Sequence, residues 1–93
     1  MSDLKFEWDP RKAAANAKKH GVGFDEAKSV FSDERAKLID DPDHSDEEDR
    51  FVLLGLSGVL RMLVVCHCYS SEGNVIRIIS ARKATAGESR LYP

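Results

Sequence analysis

The sequence has no apolar run long enough to cross a membrane, and no phosphate-binding glycine loop or nucleophile elbow. Its two cysteines, Cys66 and Cys68, are too few for a disulfide framework or a cysteine-rich zinc module. The first ten residues lack the basic and apolar regions of a signal peptide, so a cytoplasmic protein is expected. What remains, 93 residues with 42% hydrophobic and 32% charged side chains, predicts a single globular domain over residues 1–93.

The charged residues are unevenly distributed, although the formal net charge is only −2. Seven of the ten residues from 40 to 49 are acidic, and outside this segment fourteen basic residues stand against nine acidic ones. The bases gather between residues 5 and 19 and between residues 77 and 90. This pattern predicts a basic surface beside an acidic loop, which suits an anionic partner; ordinary solvated charge is the alternative.

The spacing of apolar residues predicts an α+β domain. Asp9 and Pro10 suit the start of a helix over residues 11–20, and Gly21 suits its left-handed end. The other predicted elements are strands over residues 4–8, 37–40, 51–56, 61–69 and 75–82, a second helix over 24–31, and a weak helix over 84–91. Residues 41–49 form an acidic loop and residues 71–74 a hairpin turn. The predicted architecture is two N-terminal helices packed on an antiparallel β-sheet, with a short C-terminal helix or tail.

Arg77 interrupts a β-branched strand, where an apolar side chain is expected. A guanidinium is rarely buried without a partner, so Arg77 either binds an oxyanion or pairs with a carboxylate of this chain. A hairpin that turns near Glu72 would place His67 opposite Arg77, and the two charges would lower the histidine pKa. Such a histidine suits a base that works near neutral pH, and a core histidine satisfied by one hydrogen bond is the alternative.

Cys66 and Cys68 flank His67 but share the opposite face of their strand, because successive side chains alternate. The three side chains therefore do not converge on one metal ion. Two small buried hydrophobic side chains are the expected role of these cysteines, and no metal or other cofactor is expected.

Three segments of the chain together resemble the BrnT-type toxins of bacterial type II toxin–antitoxin modules: KFEWDPRKAAANAKKHGVGFDEAKSVFSD, DPDHSDEEDRFVLLGLS and RIISARKAT. The resemblance runs from Lys5 to about Tyr92. It implies a RelE-like ribonuclease fold and metal-independent cleavage of RNA that inhibits translation. It also implies a cognate BrnA-type ribbon-helix-helix antitoxin, with operator DNA bound only through the toxin–antitoxin complex. No association with a membrane is expected. A homodimer and a toxin–antitoxin hetero-oligomer both stay open.

Metal-free RNA cleavage uses the 2′-hydroxyl as nucleophile and needs a base, an acid and cations that stabilise the phosphorane. Arg77 and Arg82 match the RIISAR block of the family, and Lys19 with His20 matches its KHG turn. The predicted catalytic residues are Lys19, His20, His67, Arg77 and Arg82. The predicted RNA-binding residues are Lys18, Arg50, Ser80 and Lys83.

Two segments depart from the family pattern. Residues 68–71 lack a basic side chain that the family leads one to expect, and the tail AGESRLYP is less basic than usual. These departures support an alternative, a catalytically inactive protein that keeps the toxin fold as a protein-binding module. A free-standing DNA-binding protein is less favoured, since the sequence has no helix-turn-helix motif.

Overall fold

The computed structural model describes residues 4–40, 50–70 and 74–93. The described elements follow one another as β1 (Lys5–Glu7), α1 (Pro10–His20), α2 (Phe24–Ser29), β2 (Lys37–Ile39), β3 (Phe51–Leu56), β4 (Met62–Tyr69), β5 (Val75–Lys83) and α3 (Ala86–Ser89). A 3₁₀ turn, Val30–Ser32, extends α2. The predicted strands and helices are confirmed, with ends that move by one or two residues. The predicted acidic loop at 41–49 and most of the hairpin turn at 71–74 lie outside the described residues.

The five strands form one sheet in the order β1-β5-β4-β3-β2. Strands β2 to β5 pair with their neighbours in antiparallel fashion, but β1 pairs with β5 in parallel. The expectation of a wholly antiparallel sheet is therefore wrong at this edge. The chain leaves β1 through two helices and returns to it from the far side of the sheet, and no hairpin forces the two strands into opposite directions.

The two ends of α1 follow the predicted signals. The Asp9 carboxylate accepts a hydrogen bond of 2.8 Å from the backbone N–H of Arg11, and Pro10 occupies the first turn. Gly21 has φ of 69° and its N–H donates to the carbonyl of Ala17, so the helix ends where a side chain would be strained. No helix in the described ranges is long and apolar enough to cross a membrane.

The sheet has a helix side and an outer side, and each side carries its own apolar cluster. On the helix side, α2 and its 3₁₀ extension pack on the sheet through the buried residues Val22, Phe24, Ala27, Val30, Leu53, Leu63, Val65, Ile78 and Ala81. On the outer side, Val52, Leu54 and Val64 are buried beneath Ala84 and Tyr92 of the C-terminal segment. Both faces are therefore covered, which suits strands β3 and β4, because their successive apolar side chains point to opposite faces of the sheet.

The pairing of β4 with β5 corrects one prediction. His67 lies opposite Ile78, and Arg77 lies opposite Cys68. Strand β5 holds an extra residue, because Cys66 pairs with Ser80 while His67 pairs with Ile78. The expected pair of His67 and Arg77 is therefore wrong, since a shift of one residue places the two side chains on opposite sides of the sheet.

Candidate active site

Helix α1 lies along the part of β5 that β1 leaves uncovered, since the β1–β5 pairing ends at Glu7 and Arg77. The side-chain amide of Asn16 donates to the carbonyl of Ala81 at 2.8 Å and accepts from the N–H of Ala81 at 3.1 Å. These bonds fix the helix beside the strand. They place the last two turns of α1 next to the residues that precede Ala81.

An open depression of about 230 Å³ lies between α1 and β5. The residues that line it are Lys12, Ala15, Asn16, Lys19, His20, Ile79 and Ser80. The structure thus brings together three of the predicted site residues, Lys19, His20 and Ser80. Two ammonium groups, an imidazole and a hydroxyl around an accessible hollow can bind a phosphodiester and transfer protons near it.

The loop after α1 is fixed by a charged network. Arg61 donates through Nε to Glu26 Oε2 at 2.8 Å, through a guanidinium nitrogen to Glu26 Oε1, and to the carbonyl of Gly21 at 3.1 Å. Ser57 donates to the same carboxylate at 2.7 Å. The hydrogen bond from Arg61 is the main cause that lowers the pKa of Glu26. This network holds the C-terminal end of α1 where Lys19 and His20 reach the depression.

Arg77 lies on the outer side of the sheet and does not line the depression. It pairs with Glu7 at 3.0 Å, and the side chains of the two residues are 43% and 50% exposed. The pairing with a carboxylate that the sequence left open is therefore present. Because both groups stay solvated, the pair is weak and the guanidinium can exchange Glu7 for another anion.

Arg82 holds the C-terminal segment. Its guanidinium donates to both carboxylate oxygens of Glu88, at 2.7 and 2.8 Å. This fork lowers the pKa of Glu88 to about 2, and the same carboxylate accepts a bond from the N–H of Thr85 that caps α3. Arg82 is thus engaged in a strong structural pair outside the depression.

His67 is a core residue with 0% exposure. Its Nδ1–H donates to the carbonyl of Val65 at 3.2 Å, and its ring packs edge-on against Phe31 with centroids 4.8 Å apart. Burial lowers the pKa of His67, so the direction of the predicted shift is found but its cause is desolvation rather than Arg77. In this conformation RNA does not reach the imidazole.

The remaining predicted residues, Lys18, Arg50 and Lys83, do not line the depression. Lys18 is exposed on the last turn of α1 and Arg50 is half-buried just before β3, and neither lines the hollow. Lys83 ends β5 opposite Leu63, near enough to Glu26 that its charge helps to lower the pKa of that carboxyl. Neither cysteine forms a disulfide; Cys66 is buried as expected, whereas Cys68 is only half-buried. No group of three metal-ligating side chains occurs in the described ranges.

Two polar residues of the depression, Lys12 and Asn16, were not predicted from the sequence. Lys12, Asn16 and Lys19 are spaced by four and then three positions, which puts them on one face of a helix. That spacing was visible in the sequence. Nothing local indicated that this face meets β5, because the partners of Asn16 are 65 residues away.

Comparison with known protein families finds one that matches most of this chain. Residues 8–88 match the family described as "Ribonuclease toxin, BrnT, of type II toxin-antitoxin system". The chain belongs to the BrnT family of ribonuclease toxins. Membership in a type II toxin–antitoxin family implies an RNA target and an antitoxin partner.

A solved BrnT has the same fold. The crystal structure of the Brucella abortus ribonuclease toxin, BrnT, superposes with a TM-score of 0.68 and 24% sequence identity. The match covers 88% of this chain and 97% of the Brucella chain. A search of curated proteins finds no match.

Proposed function

We propose that this BrnT-family chain is a metal-independent endoribonuclease with its active site in the depression between α1 and β5. The observation that carries the proposal is the convergence of Lys19 and His20 with Lys12 and Ser80 on one accessible hollow. The predicted role of Ser80 in RNA binding fits this position. The family is named for a ribonuclease toxin, and the RelE-like nature of its fold stays a prediction.

The roles follow from the chemistry of the four side chains. RNA supplies the nucleophile itself, since its 2′-hydroxyl attacks the adjacent phosphorus once a base accepts the proton. In our proposal His20 accepts that proton, the bond between phosphorus and the 5′-oxygen breaks, and the leaving 5′-oxygen takes a proton from water. Lys19 and Lys12 place positive charge beside the oxygens that become more negative in the transition state, and Ser80 donates a hydrogen bond to the phosphate.

The other predicted residues take secondary roles in this proposal. Arg77 contributes to binding the RNA backbone after it exchanges Glu7, and Lys18, Arg50 and Lys83 add positive charge around the site. His67 and Arg82 stabilise the fold, because the first is buried and the second is occupied by Glu88.

The first prediction concerns Lys19 and His20. Lys19→Ala and His20→Ala should each reduce cleavage of a single-stranded transcript by about 100-fold or more, mainly through kcat. Lys18→Ala is the matched control, because it removes the same charge from the same turn of α1 outside the depression. It should raise KM and leave kcat nearly unchanged.

The assay is run in excess chelator on purified protein. Activity that disappears in chelator and returns with one divalent ion would exclude metal independence. Equal losses of kcat for all three variants would mean that the depression is not the active site.

For the partner, we propose a BrnA-type ribbon-helix-helix antitoxin that neutralises the toxin, with operator DNA bound only by the complex. The alternative function is a catalytically inactive toxin fold that acts as a protein-binding module. One observation favours it: Arg77 and Arg82 are both paired with carboxylates and His67 is buried, which leaves few groups for chemistry. A chain that binds the antitoxin but does not cleave RNA would support this alternative.

A further inference from the structure

Asn16 is a buried polar residue that joins three parts of the fold. Asn16 is only 7% exposed to solvent. The amide nitrogen donates to the carbonyls of Val22, at 2.9 Å, and Ala81, at 2.8 Å, while the amide oxygen accepts from the N–H of Ala81 at 3.1 Å. Two donors and one acceptor within a single planar group are found only in an amide side chain.

These three bonds have a geometric consequence for β5. Beyond Arg77 the strand has no β1 residue beside it, so its outward backbone groups need other partners. Asn16 supplies both a donor and an acceptor to the backbone of Ala81, as a neighbouring strand would. One side chain of α1 therefore replaces a strand at this point of the sheet edge.

The same bonds bracket the proposed active site. Ala81 directly follows Ser80, and Val22 lies two residues after His20. Lys19 and His20 come three and four residues after Asn16, which places them on its face of α1. The distance from the two α1 groups to Ser80 thus depends on how α1 is attached to Ala81.

We propose that Asn16 is a positioning residue that sets the separation between His20 and Ser80. It does not touch the reacting atoms; it holds the groups that do. The inference rests on the proposed function of the depression. One phosphate has to contact Lys19 and His20 of α1 and Ser80 of β5 at the same time.

The test compares two Asn16 variants with a control of another kind. Asn16→Ala removes all three bonds, and Asn16→Asp keeps the shape and the bond from the Ala81 N–H but removes both donors. Val52→Ala is the control, because it destabilises the outer cluster without touching the depression. Cleavage is measured per folded molecule, with the folded fraction of each full-length variant taken from circular dichroism.

Both Asn16 variants should lose about tenfold or more in kcat with little change in KM. A catalytic group displaced by about 1 Å can lower the rate of the reaction by as much as about 100-fold. Val52→Ala should cleave normally once corrected for folding. A folded Asn16 variant with the kcat of the unchanged protein would overturn the proposal. Asn16→Ala leaves a small cavity, whereas Asn16→Asp leaves none but turns a carboxylate oxygen towards the carbonyls of Val22 and Ala81, so either variant serves where the other does not fold.

A second readout does not depend on catalysis. Inorganic phosphate is titrated into the unchanged protein and into Asn16→Asp, and NMR signals of His20 and Ser80 are followed. In the unchanged protein the two signals should move with one dissociation constant, and in the variant they should separate or weaken about tenfold or more. If the unchanged protein does not cleave RNA, the proposed function fails while this titration still decides the role of Asn16. Identical titrations in both proteins, or no shift at either residue, would overturn it.

Discussion

At the scale of single residues, strand β5 carries two arginines whose ion pairs differ in strength. Arg77 and Glu7 are both largely solvated, whereas the side chains of Arg82 and Glu88 are 35% and 18% exposed and joined by two hydrogen bonds. A solvated pair contributes little to stability, while a partly buried bidentate pair contributes more. The two pairs therefore form a natural comparison within one strand.

We predict that Glu88→Gln lowers the free energy of unfolding by about 1–2 kcal/mol at pH 7, because it removes the charge that pairs with Arg82. Partial exposure to solvent screens this pair and limits the loss. Glutamine keeps the cap of α3, so the change isolates the charge. The pKa of Glu88 falls from 4.5 to about 2 on folding, so its stabilisation is present above pH 4.5 and is lost as the pH falls towards about 2. Urea unfolding across this range measures the difference.

Glu7→Gln is the control for that measurement. Its effect should stay within about 0.5 kcal/mol at every pH, because its pair with Arg77 is solvated. A loss for Glu88→Gln that persists undiminished at pH 2 would show that the charge of Glu88 is not its cause.

At the scale of secondary-structure elements, strand β3 and the turn that follows α2 approach each other closely at Gly55. A Cβ atom at this position would lie 2.9 Å from the Cβ of Ala36 and 2.9 Å from the Cγ1 of Val30. The carboxylate of Asp33 lies beside it and accepts bonds from the N–H of Leu56, at 2.9 Å, and from the hydroxyl of Tyr92, at 2.8 Å. The absence of a side chain at Gly55 thus lets β3 and the C-terminal segment meet at one carboxylate.

We predict that Gly55→Ala destabilises the protein by about 1–3 kcal/mol, because the packed neighbours have to move. Gly87→Ala, in α3, should be neutral or slightly stabilising, since among the described residues outside its own helix backbone a Cβ atom would meet only Thr85, at 3.9 Å, and alanine is the better helix former. Thermal unfolding of the two variants tests the contrast. If the two variants were equally stable, β3 and the turn after α2 would have moved apart with no loss of stability.

At the scale of the whole molecule, membership in a toxin family predicts an effect on cells. Induction of the chain alone should arrest growth and lower bulk translation, and co-expression of the proposed BrnA-type antitoxin should restore both. His20→Ala, expressed to the same soluble level, is the control and should leave growth normal. Normal growth with the unchanged chain at confirmed soluble expression would count against catalysis and favour the binding module.

The sequence by itself determined the local structure and the family. Asp9 with Pro10 and Gly21 set the ends of α1, because capping involves atoms only a few residues apart. The runs of apolar residues likewise predicted strands β3 and β4, which the structure has at Phe51–Leu56 and Met62–Tyr69. Three quoted segments were enough to indicate the BrnT family, which the match over residues 8–88 confirms.

Only the tertiary structure decided how these elements meet. The extra residue of β5 changes the partner of His67, the parallel pairing of β1 leaves part of β5 uncovered, and Asn16 bonds to a residue 65 positions away. Each of these depends on hydrogen bonds between distant parts of the chain, whose geometry is set when all elements pack at once. The residues of a candidate site could therefore be named from the sequence, but which of them share one hollow could not.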